Sequence, residues 1–427
     1  MNVDTRIIEH IKWNNNRAVL TQVAAKHEVA VLLNPLSVEG GYAALLAVGD
    51  KQSVSGNAGS AFYEITQLKK YADTIFGFLG YDVKNEIEAL SSENTDGSDF
   101  PDYFFFQPKV IVRIAAAQLQ LEHFEEDAVF AAQLAKELLE EEQVLESRES
   151  LFLQARITKE VYLENVNLLK KHIQRGDVYE VNFCQEFFAA NAVVQPASIF
   201  KEMLRLSSTP FAAFMRVNGQ HILCASPERF LQKQGNRVLS QPIKGTAKRG
   251  ATAEEDAANM RYLSESSKEK SENVMIVDLV RNDLSTFAEQ GSVVVEELFG
   301  IHTFPQWHQM ISTVSCTVDS AIPVVEILKK CFPMGSMTGA PKLRALQLIE
   351  QYESMKRGVY SGAIGYIDAH NNFDFNVVIR SVLYNAERKY VSVSVGSAIT
   401  ANCDAAQEYD ECLTKAAVLF KVLRNEG

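Results

Sequence analysis

From about residue 155 onward, hydrophobic positions along the chain alternate between helical and strand periods. In "TKEVYLENVNLLKKHIQRGD", Val161, Tyr162, Val166, Leu168, Leu169 and Ile173 fall at helical spacing and Gly176 follows as a stop, which predicts a helix. "QHILCASPERFLQKQGNRVLSQPIKGT" predicts a hairpin turning near "QGN", and a long helical segment follows over roughly 253–280. "VYSGAIGYIDAHNNFDFNVVIRSVLYNAERKYVSVSVGSAIT" predicts three successive strands, with turns near "HNN" and "NAERK". The closing stretch "AAQEYDECLTKAAVLFKVLRN" predicts a last helix. Strands joined by hairpins make antiparallel sheets, so the expected class is α+β.

The first third is less patterned. "SSENTDGSDFPDY" (91–103) is a loop by composition, and the acidic "KELLEEEQVLESRES" (136–150) predicts an exposed helix or connector. That tract divides the chain into 1–150 and 151–427. At 427 residues the chain exceeds what one simple core usually holds, so two subdomains or one large layered domain is the prior.

With 47% hydrophobic and 22% charged residues the composition is that of an ordinary globular protein. No apolar run reaches the roughly 20 residues of a membrane span, and the start "MNVDTRIIEHIKW" has no signal-peptide core, so a cytoplasmic location is expected. Six cysteines are scattered without metal-ligand spacing and are expected to be reduced and buried. Lys and Arg total 42 against 54 Asp and Glu, a net charge of −12, which argues against nucleic-acid and anionic-membrane partners. A small anionic substrate would then need a local cluster of cations or a metal ion.

Four constellations bear on chemistry. Glu269 with Glu272, and Glu408 with Glu411, each stand at i, i+3 on a predicted helix, so each pair projects from one face. Such a pair is either a solvated helix surface or, with its counterpart, the carboxylate set an octahedral Mg²⁺ takes. "FPMGSMTGAPKLRALQ" leads a small-residue loop (Gly335, Ser336, Thr338, Gly339) into a helix; it is an anion site or an ordinary helix start. Arg380 stands in the otherwise apolar "NVVIRSV", read as a strand, and a buried arginine needs a fixed anion. Lys244 in "QPIKGTAKRG" is a turn residue or an aimed amine, while His308 and Tyr360 are core hydrogen-bonders or site residues.

Taken in order, "GDVYEVNF", "SPERF", "PIKGTAKRG", "SENVMIVDLVRNDL", "GSMTGAPKLRA", "RGVYSGAIGY", "VVIRS" and "EYDECLTKA" resemble the chorismate-utilising enzymes strongly over about 155–425. "FGFLGYDVKNEIE" and "FPDYFFFQP" extend a weaker likeness into 1–150. The resemblance implies a layered α/β sandwich of antiparallel sheets with outer helices, in which 1–150 and 151–427 form one intertwined unit and 151–427 is the chorismate-binding region. It implies Mg²⁺ on Glu272 and Glu411 with Glu269 and Glu408 behind them, and a chorismate carboxylate on Tyr360 and Arg380 near Gly396. It further implies that Ser336, Thr338, Gly339, Ala398 and Lys415 meet substrate, that His308 lies beside the ring, and that Glu228 is the general acid.

Within the family, "PIKGT" resembles the aminodeoxychorismate branch, in which the lysine is a nucleophile, where the anthranilate branch has "PIAGT". Lys244 must be neutral to attack, and Lys248, Arg249 and the metal are the cations expected to lower its pKa. The chain departs from the family at Glu180, where many relatives have glutamine and a carboxylate is expected near the substrate ring, and at Ala398, where glycine is usual. No glutaminase motif is present, so ammonia is expected from a separate glutamine amidotransferase subunit. The alternatives are an anthranilate-forming enzyme and a chorismate-binding homologue without turnover.

Overall fold

The computed structural model describes residues 5–36, 44–115, 118–141 and 149–426. Every pairing between its strands is antiparallel, as hairpin connections require. The organising element is the long strand Tyr103–Ile114. It pairs with Ala44–Gly56 along its length, with Ile75–Leu79 at its start and with Gln118–His123 at its end, so it belongs to two sheets. One sheet continues through Val29–Leu33, Phe211–Val217, Gln220–Ser226, Ser381–Asn385, Tyr390–Thr400 and Glu180–Ala189. The other continues through Ala363–Ile367, Phe373–Val377, Arg229–Gln234, Arg237–Gln241 and Trp307–Thr317. Strands from the first 150 residues therefore form one block, joined at Val29–Leu33 and at Ile75–Leu79 to two runs of strands from the rest.

Period-two packing explains why many strands read as unbroken apolar runs. In the Val29–Leu33 strand, Val29, Val31 and Leu33 enter the core that runs between the layers, while Ala30 and Leu32 meet outer helices. Helices Ala18–Lys26, Ala128–Leu139 and Pro196–Leu206 cover that outer face. Helices Lys159–Gln174, Lys342–Tyr352 and Ala405–Leu423 cover the end of the same sheet through Tyr162, Leu348 and Cys412. The result is the expected sandwich of antiparallel sheets with outer helices. All six cysteines are buried and unpaired. Residues 142–148 of the acidic tract, and residues 1–4 of the start, lie outside the described residues.

Two sequence expectations are corrected here. The segment 253–280 is two helices, Ala253–Glu265 and Ser267–Ser285, because Ser266 leaves helical geometry and its side chain accepts the Glu269 N–H. A cap of this kind contributes about 1 kcal/mol. The stretch 359–400 is four strands, not three, because the middle one breaks at Arg380. Arg380 has φ of 50°, a left-handed conformation that costs a non-glycine residue about 1 kcal/mol. It is thus a kink between strands and not a strand residue.

Candidate active site

A cavity of about 380 Å³ opens where both sheets and two helices meet. This is the size range of small-molecule sites. Its lining carries charged side chains of both signs.

Helices Ser267–Ser285 and Ala405–Leu423 form the acidic wall. Their caps, Ser266 and Asp404, start each helix so that Glu269 and Glu272, and Glu408 and Glu411, face the cavity. Burial pushes the Glu272 carboxyl up to about 7, and burial and the neighbouring Glu411 charge raise Glu408 as well. Glu269 is raised, mainly by burial. Burial would also raise Glu411, but the Lys415 ammonium 2.8 Å away holds it below the usual range. Lys268 lies between the helices, 3.9 Å from Glu272 Oε1 and 3.7 Å from Glu408 Oε1. Carboxylates desolvated in this way bind a cation or a proton more readily than exposed ones. The donor chemistry fits a hard divalent ion, although among the described residues no three acids stand close enough together to hold one.

A second part of the lining carries Lys244, Arg380, Tyr360, Glu228 and Ser336, with Gly245 packed against Glu269 of the acidic helix. Lys244 is the second residue of the strand Ile243–Lys248, and Gly245 beside it has φ of +88°, so a register shift turns the lysine toward the cavity. Lys244 Nζ donates to Glu180 Oε1 at 2.7 Å, with both side chains nearly buried. Burial alone would lower its pKa, yet the carboxylates of Glu180, Glu272 and Glu228 hold the ammonium above the ordinary lysine range. This corrects the expectation of a lysine depressed by Lys248 and Arg249. Arg249 is bound to Asp256, and Lys248 stands over the Trp307 ring.

Glu228 is buried, and Ser336 Oγ donates to its Oε1 at 2.6 Å. Burial pushes this carboxyl up to about 7, against the opposing effects of Ser336, Lys244 and Arg380. That is the range in which an acid both holds and gives up a proton near neutrality. Burial lowers Arg380, with Glu228 opposing. Lys415 donates to the Gly396 carbonyl at 3.0 Å, and Gly396, Ala398 and Tyr360 line the cavity beside it.

Four expected site residues do not line the cavity. His308 is fully buried and points away: Nε2 hydrogen-bonds Asp256 Oδ1 at 2.8 Å and Nδ1 hydrogen-bonds Thr303 Oγ1 at 2.9 Å. Strand alternation turns Trp307 and Gln309 to the cavity instead, and Gln309 Oε1 is buried without a partner among the described residues. Thr338 turns its hydroxyl back to the carbonyls of Met334 and Gly335. Gly339 packs against the Glu180–Ala189 strand, where a Cβ would meet the Glu180 carbonyl at 2.1 Å. Glu180 lies behind Lys244 as its ion-pair partner. Lys268, Trp307, Gln309 and Asn182 line the cavity but escaped the sequence reading. Of these only Lys268 carried a signal, since it stands four residues before Glu272 on the same helix face.

Fold and cavity together define a protein with a small-molecule-sized cavity lined by two acid pairs and by Lys244, Arg380, Lys268 and Lys415. The description of the chorismate binding enzyme family matches residues 35–421, and the chain belongs to that family. It is 41% identical over 273 residues to an aminodeoxychorismate synthase of Streptomyces griseus, covering 64% of this chain and 37% of that protein. It is 37% identical over 261 residues to aminodeoxychorismate synthase component 1 of Klebsiella aerogenes, covering 61% of this chain and 57% of that protein. The match thus spans less than two thirds of either relative. In fold the chain is similar to the crystal structure of anthranilate synthase component I from Streptococcus pneumoniae, with a TM-score of 0.80 at 22% identity over 90% of this chain and 93% of that one. Among the described residues no helix is long and apolar enough to cross a membrane.

Proposed function

We propose that this chain aminates chorismate with ammonia to give aminodeoxychorismate, through a covalent intermediate on Lys244. The observation that carries the reading is the lysine amine itself, set in the wall of a cavity that also holds a protonatable Glu228. The two relatives named as aminodeoxychorismate synthases support it.

Arg380 and Tyr360 bind one substrate carboxylate. Glu272 and Glu411, backed by Glu269 and Glu408, would hold a Mg²⁺ that neutralises negative charge on the substrate when bound. Lys244 rests as an ammonium on Glu180 and must release its proton before it adds. The neutral amine then forms a bond to a ring carbon while the ring C–O bond breaks, and the departing oxygen takes the Glu228 proton and leaves as water. The electron pairs shift through the ring double bonds, and Lys244 is left as a secondary ammonium. Ammonia next adds to the ring as the Lys244–carbon bond breaks, so the lysine leaves as a neutral amine and the product carries the new ammonium. The product ammonium then returns a proton to Glu228 and Lys244 recovers the proton it released, so one chorismate and one ammonia give one aminodeoxychorismate and one water. Ammonia is supplied by a separate amidotransferase component, in keeping with the "component 1" of the Klebsiella relative's name, and the reaction is placed in the cytoplasm.

One observation favours a second reading, binding without turnover: Lys244 Nζ is tied to Glu180 Oε1 at 2.7 Å in a nearly buried ion pair. Purified protein given chorismate, Mg²⁺ and ammonium at alkaline pH decides between them by mass spectrometry and anthranilate fluorescence. Aminodeoxychorismate without fluorescence is the expected result. Anthranilate would show that Lys244 does not direct the chemistry, and bound chorismate with no product would establish the second reading.

A further inference from the structure

Arg357 is buried, and the proposed reaction does not use its guanidinium. All five of its N–H donors have acceptors. Nε donates to Glu353 Oε2 at 2.9 Å, and Nη2 donates to Glu353 Oε1 at 2.6 Å and to the Asn182 carbonyl at 2.9 Å. Nη1 donates to the Met337 carbonyl at 2.6 Å and, more weakly, to Ser361 Oγ at 3.4 Å. The guanidinium carbon stands 4.4 Å from the centre of the Tyr81 ring.

These acceptors belong to segments that line the main cavity. Asn182 donates its backbone N–H to the Thr338 carbonyl at 2.7 Å and its side-chain amide to the Ser336 carbonyl at 3.2 Å. The consecutive carbonyls of Ser336, Met337 and Thr338 are thus all held by Arg357 and Asn182. With the main chain of this loop fixed on that side, the Ser336 hydroxyl faces Glu228 Oε1 at 2.6 Å. Glu353 Oε1 also accepts the Cys184 N–H at 2.8 Å, which ties the arginine's counter-ion to the strand that carries Asn182. On the main chain, the Arg357 carbonyl accepts the Tyr360 N–H at 3.0 Å and closes the turn that brings Tyr360 to the cavity.

A buried ion pair adds little stability beyond that of well-packed apolar side chains of similar volume, so the value of this one lies in the geometry it fixes. A planar guanidinium reaches a carboxylate and two carbonyls at once. A lysine carries three donors on one atom and cannot span them.

We propose that Arg357 is a positioning residue for the general acid: it holds the loop 335–338 against Asn182 so that Ser336 stays hydrogen-bonded to Glu228. The proposal rests on the reading of Glu228 as proton donor and adds the element that sets its hydrogen bond.

Ser336 lowers the Glu228 pKa against the effect of burial, so loss of its hydrogen bond leaves the carboxyl protonated to higher pH. The charged groups around Glu228 are Lys244, Arg380 and Lys415, with Arg229 and Asp283 behind it, and among the described residues none of them bonds Arg357. Arg357→Lys keeps a cation beside Glu353 but releases at least one carbonyl. It is expected to lower kcat for amination by about 10- to 100-fold and to leave the KM for chorismate within about threefold, because the turn that carries Tyr360 is made by the main chain. The alkaline limb of kcat/KM should move up by about one pH unit, as loss of a hydrogen bond to a carboxylate does. Ser336→Ala should move that limb as far, and the two substitutions together no further, because they act on one bond. Additive shifts in the double variant overturn the proposal. So does a folded Arg357→Lys that melts earlier but keeps the wild-type kcat and limb, and in either case the reaction stands. Should Arg357→Lys not fold, Tyr81→Leu withdraws the ring beneath the guanidinium and leaves its acceptors in place. A smaller limb shift of the same sign is expected there, and an unmoved limb overturns the proposal. If wild type yields no aminated product, the reaction reading falls and this role with it.

Discussion

The two walls of the cavity solve different electrostatic problems. The lysine wall pairs its main charge internally, with Lys244 and Glu180 buried together at 2.7 Å, while Glu228, bound by Ser336, is pushed up to about 7 by burial. On the acidic wall Glu269, Glu272 and Glu408 are likewise pushed toward their protonated forms, and among the described residues a half-exposed lysine bridges the two helices. One wall holds its reactive group in reserve with its charge paired. The other concentrates negative charge that a ligand must complete, because buried carboxylates are costly without a counter-ion.

The comparison breaks most directly at the lysine. Lys244→Ala should abolish the covalent adduct seen by intact mass with chorismate and Mg²⁺, and lower amination by at least about a thousandfold, as loss of a nucleophile does. An adduct persisting in the variant would remove Lys244 from that role.

A smaller effect is expected at Glu228. Its carboxyl is raised to about 7, so the protonated, proton-donating form is present below that pH and is lost as pH rises through it. Activity limited by this acid should fall on the alkaline side. Glu228→Gln should cost about 10²- to 10⁴-fold and remove that limb from the kcat/KM profile. An unchanged limb in the variant would assign it to another group.

The mildest change should come on the acidic wall. Glu272→Gln should raise the Mg²⁺ concentration needed for half activity by about 10- to 100-fold, with little change at saturating metal. The same Mg²⁺ dependence in wild type and variant would mean that this wall does not serve a metal.

Much of this architecture is legible in local pattern. Helical spacing places Glu269 with Glu272 and Glu408 with Glu411, and the turn at Gly235 separates the paired strands Arg229–Gln234 and Arg237–Gln241 as the residues near it require. Features that depend on register are not legible in this way. His308 and Gln309 are adjacent in an apolar strand, and sequence alone cannot tell which faces the cavity. Arg380 reads as part of one continuous strand because a left-handed residue without glycine leaves no local mark.

By itself, then, the sequence determines the antiparallel α+β class, the helix faces that carry acid pairs, and the ordered motifs of the chorismate-binding family. Those properties follow from residue spacing over one or two turns, or from a motif's own letters. The tertiary structure alone decides that Glu180 meets Lys244 across 64 residues of chain, and that Arg357 meets the Asn182 and Met337 carbonyls. The physical reason is that Coulomb and packing interactions depend on distance in space, which strand pairing sets and chain separation does not.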